Sequence, residues 1–123
     1  MAAERPVVLL VDDEDHILAA LRRVLRREPY ELITASNPAE ALATLAARPV
    51  RVVVSDQKMP GASGIELLRD IAARYPATKR VLLTGWPEEI AEPEKNAARL
   101  DAILQKPWDE AQLKQTIRRC VAG

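Results

Sequence analysis

The sequence predicts one α/β domain, residues 1–123, built on a doubly wound five-stranded parallel sheet of order 2-1-3-4-5. Two observations predict this fold class. The length of 123 residues, with 48% hydrophobic and 29% charged residues, suits a single hydrophobic core. In addition, short apolar runs alternate with segments of helical periodicity, which is typical of repeated βαβ units. These runs are Val7–Val11, Val50–Val54, Val81–Leu83 and Ala102–Leu104.

The elements of the first half follow in order. After the strand Val7–Val11, a helix carries its apolar residues on one face, at Ile17, Leu21, Val24 and Leu25. The segment Tyr30–Ala35 then alternates apolar and polar residues, which predicts a half-exposed strand at an edge of the sheet. A second helix begins at Asn37 as N-cap, with Pro38 in its first turn. It ends before Pro49, and its inward residues are predicted to be Leu42, Leu45 and Ala46.

The second half continues the alternation after the strand Val50–Val54. A third helix begins near Gly64 and carries apolar residues from Ile65 to Tyr75 at helical spacing. A fourth helix is expected to be short, shifted or kinked, because Pro93 falls where it would otherwise run. A fifth helix begins after Asp109 as cap and buries the single cysteine, Cys120.

Composition excludes several classes of protein. Eighteen Lys and Arg balance eighteen Asp and Glu, so the chain has no strongly basic field and we expect no direct DNA binding. No apolar run approaches the roughly 20 residues that cross a membrane, and the first residues do not form a secretory signal. The expected location is the cytoplasm, without a membrane association.

Polar residues follow four of the predicted strands. Asp12 and Asp13 come after the first strand, Asp56 after the third, Thr84 after the fourth and Lys106 after the fifth. Strands of a parallel sheet end at one edge, so these side chains are predicted to converge. Carboxylates gathered there repel one another by about 4 kcal/mol per pair at 4 Å and an effective dielectric near 20. The sequence therefore predicts a bound hard divalent cation, and Mg2+ is the expected ion because it suits oxygen ligands.

With a cation bound, Asp56 is a candidate nucleophile toward phosphorus. Attack by its carboxylate would form an acyl phosphate, whose charge the Lys106 ammonium and the Thr84 hydroxyl would share with the metal. Phosphoryl transfer depends mainly on positioning and electrostatic stabilisation, and these residues supply both.

Four motifs, VLLVDDE, VVVSDQKMPGASG, VLLTG and LQKPW, resemble in order those of response-regulator receiver domains and together cover nearly the whole chain. The resemblance implies a flavodoxin-like fold and a bacterial two-component switch in which Asp56 accepts phosphate from a sensor histidine kinase or phosphotransfer protein. It also implies Mg2+ bound directly by Asp13, through water by Asp12, and by Asp56 and the Lys58 backbone carbonyl. A cis Lys106-Pro107 bond is implied as well.

The resemblance implies further expectations about activity and partners. Such domains catalyse only their own phosphorylation and dephosphorylation, so the chain is not expected to be a turnover enzyme. The segment DQKMPG resembles receivers joined to cyclic-dinucleotide phosphodiesterase or phosphatase outputs, and no output domain is expected within residues 1–123. Phosphorylation would change affinity for an output partner or drive homodimerisation.

The sequence departs from the family in its predicted switch region, which includes Trp86, Ile103 and Pro107. Receivers commonly carry Tyr or Phe on the fifth strand, three residues before the conserved lysine, and here that residue is Ile103. An aliphatic side chain cannot make the usual aromatic rotation, and Pro93 alters the fourth helix. We therefore hypothesise that phosphorylation shifts the loop from Thr84 to Glu89, with Trp86 as the reporting group.

Other interpretations stay open from the sequence. The pair Asp12-Asp13, taken alone, is more often a loop and helix cap than a metal site. A constitutive protein-interaction module on a receiver scaffold would explain Ile103, with the acidic site retained for Mg2+ or stability. A hydrolase with Asp13 as nucleophile and Asp15 two residues on would leave Asp56 without a role. His16 receives no role, and Trp108 is expected to pack.

Overall fold

Five parallel strands form one sheet in the computed structural model, which describes residues 5–123. The strands are Val7–Val11 (β1), Glu31–Ala35 (β2), Val52–Asp56 (β3), Lys79–Thr84 (β4) and Ala102–Gln105 (β5). Their spatial order is β2-β1-β3-β4-β5, and every neighbouring pair is parallel. The predicted fold class and strand order are confirmed. Residues 1–4 of the predicted domain lie outside the described part of the chain.

Helices connect the strands on both faces of the sheet. They are Asp15–Leu25 (α1), Pro38–Ala47 (α2), Gly64–Arg74 (α3), Glu92–Ala98 (α4) and Glu110–Ala122 (α5), and a 3-10 turn, Pro87–Glu89, precedes α4. The predicted caps are present: Asn37 accepts a hydrogen bond from the Glu40 amide and Asp109 accepts one from the Ala111 amide. Among the described helices, none has the length and apolar character needed to span a bilayer.

Two hydrophobic cores fill the space between the sheet and its helices. Alternate residues of each central strand face opposite sides, so Leu9 and Val53 belong to the core under α2, α3 and α4, while Val8 and Val54 belong to the core under α1 and α5. Cys120 is buried in the second core and Trp108 packs against it, as the sequence predicted. Because the strands between these two cores are parallel, their carboxyl ends lie at one edge of the sheet.

Burial on two helices differs in part from the predicted faces. On α1 the buried centre includes Leu18, while Ile17 and Val24 lie half-buried at the flanks. On α2 the prediction for Ala46 is wrong: Ala46 is exposed and Ala41 is buried. The reason is geometric, since Ala41 and Leu45 are four residues apart on one face, whereas Ala46 lies about 100° further round.

The fourth helix has only seven residues and is short, as predicted. Pro93 lies in its first turn, where a proline is tolerated, so the helix begins beside Pro93 and is not interrupted by it. Its C-terminal end is held by Arg80, a β4 side chain only 6% exposed. The Arg80 guanidinium donates to the backbone carbonyls of Ala98 at 2.9 Å and Arg99 at 3.1 Å. The Arg80 amide donates to the Asp101 carboxylate at 2.8 Å. The sequence reasoning missed this anchor, since an arginine in an apolar strand carries no sign of its partners.

Candidate functional site

The residues predicted to converge lie together at the carboxyl edge of the sheet. Asp12 and Asp13 directly follow β1, Asp56 and Thr84 are the last residues of β3 and β4, and Lys106 directly follows β5. Each of Asp12, Asp13 and Asp56 offers a carboxylate oxygen within 4.8 Å of those of the other two. Three carboxylates thus face one small volume.

Lys106 supplies positive charge to this group of carboxylates. Its ammonium donates a hydrogen bond to Asp56 Oδ1, and lies 3.9 Å from Asp12 Oδ2. The lysine side chain is 26% exposed and that of Asp56 only 9%. One lysine does not balance three carboxylates, so the formal charge of this group is −2 when all four side chains are ionised.

Asp12 is the most deeply buried of the three, at 0% exposed. Burial raises its pKa from 3.8 to about 6, because the charged form loses its hydration, and the neighbouring charges of Asp56 and Asp13 act in the same direction. The Glu14 amide, which donates to Asp12 Oδ1 at 2.9 Å, and the Lys106 charge oppose this rise of the pKa. Asp12 therefore carries its charge at a substantial energetic cost in the absence of a cation.

One oxygen of this site fits a cation in particular. Asp12 Oδ2 is fully buried and has no hydrogen-bond partner within residues 5–123. A buried carboxylate oxygen without a partner is unfavourable, and a hard divalent ion bound by oxygen ligands would satisfy it. The donor set therefore fits Mg2+, with carboxylates of Asp12, Asp13 and Asp56 available as ligands.

Asp56 is held by close packing of the backbone behind it. The N-terminus of α3 approaches so closely that a Cβ atom on Gly64 would lie 2.2 Å from the Asp56 carbonyl oxygen. The Gly64 amide donates to the Gln57 carbonyl at 2.9 Å, and the Ile65 amide donates to Gln57 Oε1 at 2.8 Å. The sequence reasoning placed the start of α3 at Gly64 but missed its role, for which the only signal is a glycine directly before an apolar helix.

Thr84 lies beside Asp56 on the neighbouring strand and is only 3% exposed. Its hydroxyl oxygen accepts a hydrogen bond from the Trp86 amide at 3.1 Å, and its carbonyl accepts one from the Lys106 amide at 2.9 Å. Thr84 therefore links the end of β4 to the loop carrying Trp86 and to the lysine of the site. A change in the Thr84 rotamer would break the bond to Trp86.

A cavity of about 990 Å3 opens over these residues. Trp86 and Lys58 form one wall, with the Lys58 ammonium 4.0 Å from the centre of the Trp86 ring. Trp108 and Pro107 also line the cavity, and the Lys106-Pro107 bond is cis, as predicted. The cavity is large enough to admit a phosphoryl group and the side chain that carries it.

Three further residues considered in the sequence lie at different distances from this site. Lys58 lines the cavity, and its carbonyl is the ligand that the resemblance implies. Ile103, on β5, is half-buried against the core under α2, α3 and α4, and β4 lies between it and Asp56. His16 lies on the exposed surface of α1, with its ring 3.9 Å from the Glu14 carboxylate.

Comparison with known proteins shows the family to which the chain belongs. Residues 8–118 match the response regulator receiver domain family. The chain is 36% identical over 122 residues to the hydrogenase transcriptional regulatory protein HoxA of Cupriavidus necator, covering 98% of this chain and 25% of that protein. The chain thus spans about a quarter of the length of that curated relative.

Two solved structures are also similar. One is the signal receiver domain of an HD domain-containing protein from Pseudomonas fluorescens Pf-5, with 36% identity, a TM-score of 0.91, and coverage of 99% of this chain and 90% of that one. The other is the response regulator protein TrrA from Thermotoga maritima in complex with Mg2+ and BeF, with 30% identity, a TM-score of 0.85, and coverage of 94% and 98%.

Proposed function

The chain belongs to the response regulator receiver domain family and is a receiver of two-component signalling, and we propose that Asp56 is its phosphoacceptor. The observation that carries this proposal is the placement of Asp56 between a lysine ammonium and two further carboxylates at the floor of an open cavity. A nucleophile and the groups that would stabilise its phosphorylated form therefore share one small volume.

The proposed metal ion is Mg2+. Asp12, Asp13 and Asp56 would hold it together with the Lys58 backbone carbonyl. This choice is supported by the buried Asp12 Oδ2, which accepts no hydrogen bond from residues 5–123. When bound, the ion supplies positive charge beside the phosphoryl oxygens. Mg2+ prefers oxygen ligands and usually retains several bound waters, so a site with few protein ligands suits it.

In the proposed transfer, a carboxylate oxygen of Asp56 attacks the phosphorus of a phosphohistidine. The new bond joins this oxygen to phosphorus, the bond from phosphorus to the histidine nitrogen breaks, and that nitrogen keeps the electron pair. Lys106 now contacts Asp56 Oδ1 and would move its charge to a phosphoryl oxygen, and the Thr84 hydroxyl would donate to another. Lys106 and Thr84 would therefore stabilise the phosphorylated form through contacts that the unphosphorylated form lacks.

The same arrangement argues for a switch and against a turnover enzyme. The chemistry covers formation and hydrolysis of the acyl phosphate on Asp56, and the matching relatives are regulators. A constitutive interaction module is not favoured, since it would leave the juxtaposition of Asp56, Lys106 and Thr84 without a purpose.

The partners we propose are a sensor histidine kinase or phosphotransfer protein as donor and an output protein or domain as recipient of the signal, with homodimerisation as a further route. We place the domain in the cytoplasm and assign it no direct DNA binding. We propose that residues 1–123 act as one receiver domain.

The test of Asp56 is a measurement of intact mass after incubation with Mg2+ and acetyl phosphate. We expect the protein to gain the mass of one phosphoryl group, and Asp56→Ala to gain none, because the substitution removes the nucleophile. Glu66→Gln, an exposed carboxylate on α3, is the matched control and should be phosphorylated normally. No gain in the unmodified sequence, or equal gain in Asp56→Ala, would overturn the assignment.

A further inference from the structure

A second cavity lies beside the phosphoacceptor site, and its lining shares Lys58, Thr84 and Trp86 with that site. It has a volume of about 810 Å3 and runs between the loop after β3 and the segment that leads into α4. Met59 and Pro60 contribute accessible apolar surface, and Glu66, Glu89 and Glu94 contribute its charged surface. We call this cavity the acidic groove.

The carboxylates of the acidic groove are exposed and almost without partners. Glu66 accepts a hydrogen bond from the neighbouring Ser63 hydroxyl at 3.1 Å. In the part of the chain that the structure describes, the side chains of Glu89 and Glu94 form neither an ion pair nor a hydrogen bond. Lys58 is the single basic side chain lining the groove, and it lies over the Trp86 ring. The groove therefore presents unbalanced negative charge.

Trp86 lines the groove and is 50% exposed, the one large hydrophobic side chain so exposed within residues 5–123. The Lys58 ammonium lies 4.0 Å from the centre of its ring, so the ring already contacts one cation. An exposed aromatic ring in the lining of an acidic, partly apolar groove favours a ligand that is planar and cationic.

Arginine has the required chemistry. Its guanidinium is planar, stacks on tryptophan, and donates paired hydrogen bonds to a carboxylate, whereas a lysine ammonium is a compact, strongly hydrated charge. A nucleic acid would meet repulsion from the three glutamates, and a wholly apolar segment would remove them from water without compensation. Of these ligand classes, an arginine side chain suits the tryptophan and the carboxylates of the groove best.

We propose that the acidic groove binds an arginine-bearing segment of a partner protein, with one guanidinium stacked on Trp86 and paired to Glu89 or Glu94. An adjoining apolar side chain of the segment packs on Met59 and Pro60. The groove exists in the unphosphorylated structure, so the proposal does not depend on the role of Asp56, and its test contains neither Mg2+ nor a phosphodonor.

The probe is the peptide acetyl-Ala-Arg-Leu-Arg-Ala-amide, titrated into the full chain labelled with nitrogen-15. The chain has two tryptophans, whose indole N–H resonances are assigned with Trp86→Phe. We expect the Trp86 resonance to shift saturably and that of Trp108 to stay in place. The expected dissociation constant is about 0.1–1 mM, as suits a few solvent-exposed contacts.

Matched peptides and variants distinguish recognition by the groove from a non-specific attraction between a cationic peptide and an acidic surface. The citrulline peptide should not bind, and the lysine peptide should bind about threefold or more weakly, since it lacks the planar stack. Glu89→Gln and Glu94→Gln should each weaken binding about threefold to fivefold. Glu88→Gln, which removes the same charge outside the groove, should have little effect.

Three results would overturn the proposal. They are an unshifted Trp86 resonance at peptide concentrations of several millimolar, equal binding of the lysine and arginine peptides, and equal losses in Glu88→Gln and Glu89→Gln. The last two would show attraction by overall charge and no recognition by the groove. Normal thermal unfolding of each variant, measured in parallel, ensures that a loss of binding reports on the groove itself.

Discussion

At the scale of the residue, the acidic site combines burial with repulsion between carboxylates, which a bound cation would relieve. Asp12 loses its hydration, and its pKa rises to about 6, while Asp13 remains exposed beside it. Charged side chains that repel one another in the folded state lower the free energy of unfolding. The site therefore reduces stability when no ion is bound and should gain stability when one binds.

This leads to a prediction for Asp13→Asn. Loss of one of three carboxylate charges should raise Tm in metal-free buffer by about 2–4 °C, from a relief of about 0.5–1 kcal/mol. The same change removes a proposed ligand, so the rise in Tm on adding Mg2+ should become much smaller. Differential scanning calorimetry with and without Mg2+ measures both effects.

Asp70→Asn is the control for this prediction, because Asp70 is an exposed carboxylate on α3 outside the site. It should keep the response of Tm to Mg2+. If Mg2+ stabilised Asp13→Asn as strongly as the unmodified sequence, Asp13 would not be a ligand.

Gly64 shows a second effect at the residue scale. Because it has no Cβ atom, α3 can pack directly against the backbone of Asp56, the proposed phosphoacceptor. In Gly64→Ala the new Cβ atom would lie 2.2 Å from the Asp56 carbonyl oxygen, so either α3 or the end of β3 must move. We expect a loss of about 1–3 kcal/mol in the free energy of unfolding and slower phosphorylation by acetyl phosphate. Urea unfolding and intact mass over time measure the two.

Gly85→Ala is matched to this change, because a Cβ atom there meets no atom within 4 Å. Its free energy of unfolding should stay close to that of the unmodified sequence. Equal stability of both alanine variants would contradict the close approach of α3 to Asp56.

At the scale of the element, the two ends of α4 are held by different contacts. Arg80 binds the carbonyls at its C-terminal end. Ile90, which directly precedes the N-cap Ala91, is buried in the core under α2, α3 and α4. Ala98 is the one buried residue of this seven-residue helix, so the C-terminal end depends on the hydrogen bonds from Arg80.

We predict that Arg80→Met lowers the free energy of unfolding by about 2–3 kcal/mol, because buried carbonyls would lose their hydrogen-bond donor. Amide hydrogen exchange should accelerate at Asn96 to Arg99. Arg69→Met, the same replacement at an exposed site on α3, is the control and should change neither quantity. Unchanged exchange at these amides in Arg80→Met would show that the anchor does not hold α4.

At the scale of the whole molecule, the two tryptophans that line the phosphoacceptor cavity differ in how they are supported. Trp108 packs against the core under α1 and α5, while Trp86 is half-exposed and is linked to Thr84 by its amide. A phosphoryl group that draws the Thr84 hydroxyl toward itself would therefore release the loop at Trp86. Ile103, packed against the other core, carries no polar group that could follow this movement.

The expected response to Mg2+ and beryllofluoride follows from this difference. The indole resonance and fluorescence of Trp86 should change, and those of Trp108 should change much less. Thr84→Ala, which lacks the hydroxyl, should bind beryllofluoride with a reduced response at Trp86. No response at Trp86 or its neighbouring amides would show that the signal leaves the site by another route.

The sequence by itself was sufficient for the architecture and for the composition of the site. Apolar runs and caps such as Asn37 and Asp109 are local signals, and the carboxyl ends of parallel strands must meet at one edge, so Asp12, Asp56 and Lys106 could be brought together without coordinates. Helix faces were less certain, as Ala46 shows, because one residue changes the direction of a helical side chain by about 100°.

Only the tertiary structure decided which atoms lack partners and which segments are held. Four features depend on segments that are distant in the chain. They are the Asp12 oxygen that accepts no hydrogen bond from residues 5–123, the anchor made by Arg80, the close approach at Gly64 and the acidic groove beside Trp86. Periodicity and local motifs report which way a residue faces and how a segment begins or ends. They do not report what another segment places against it, and at this site that packing sets the charge, the strength of attachment and the available surface.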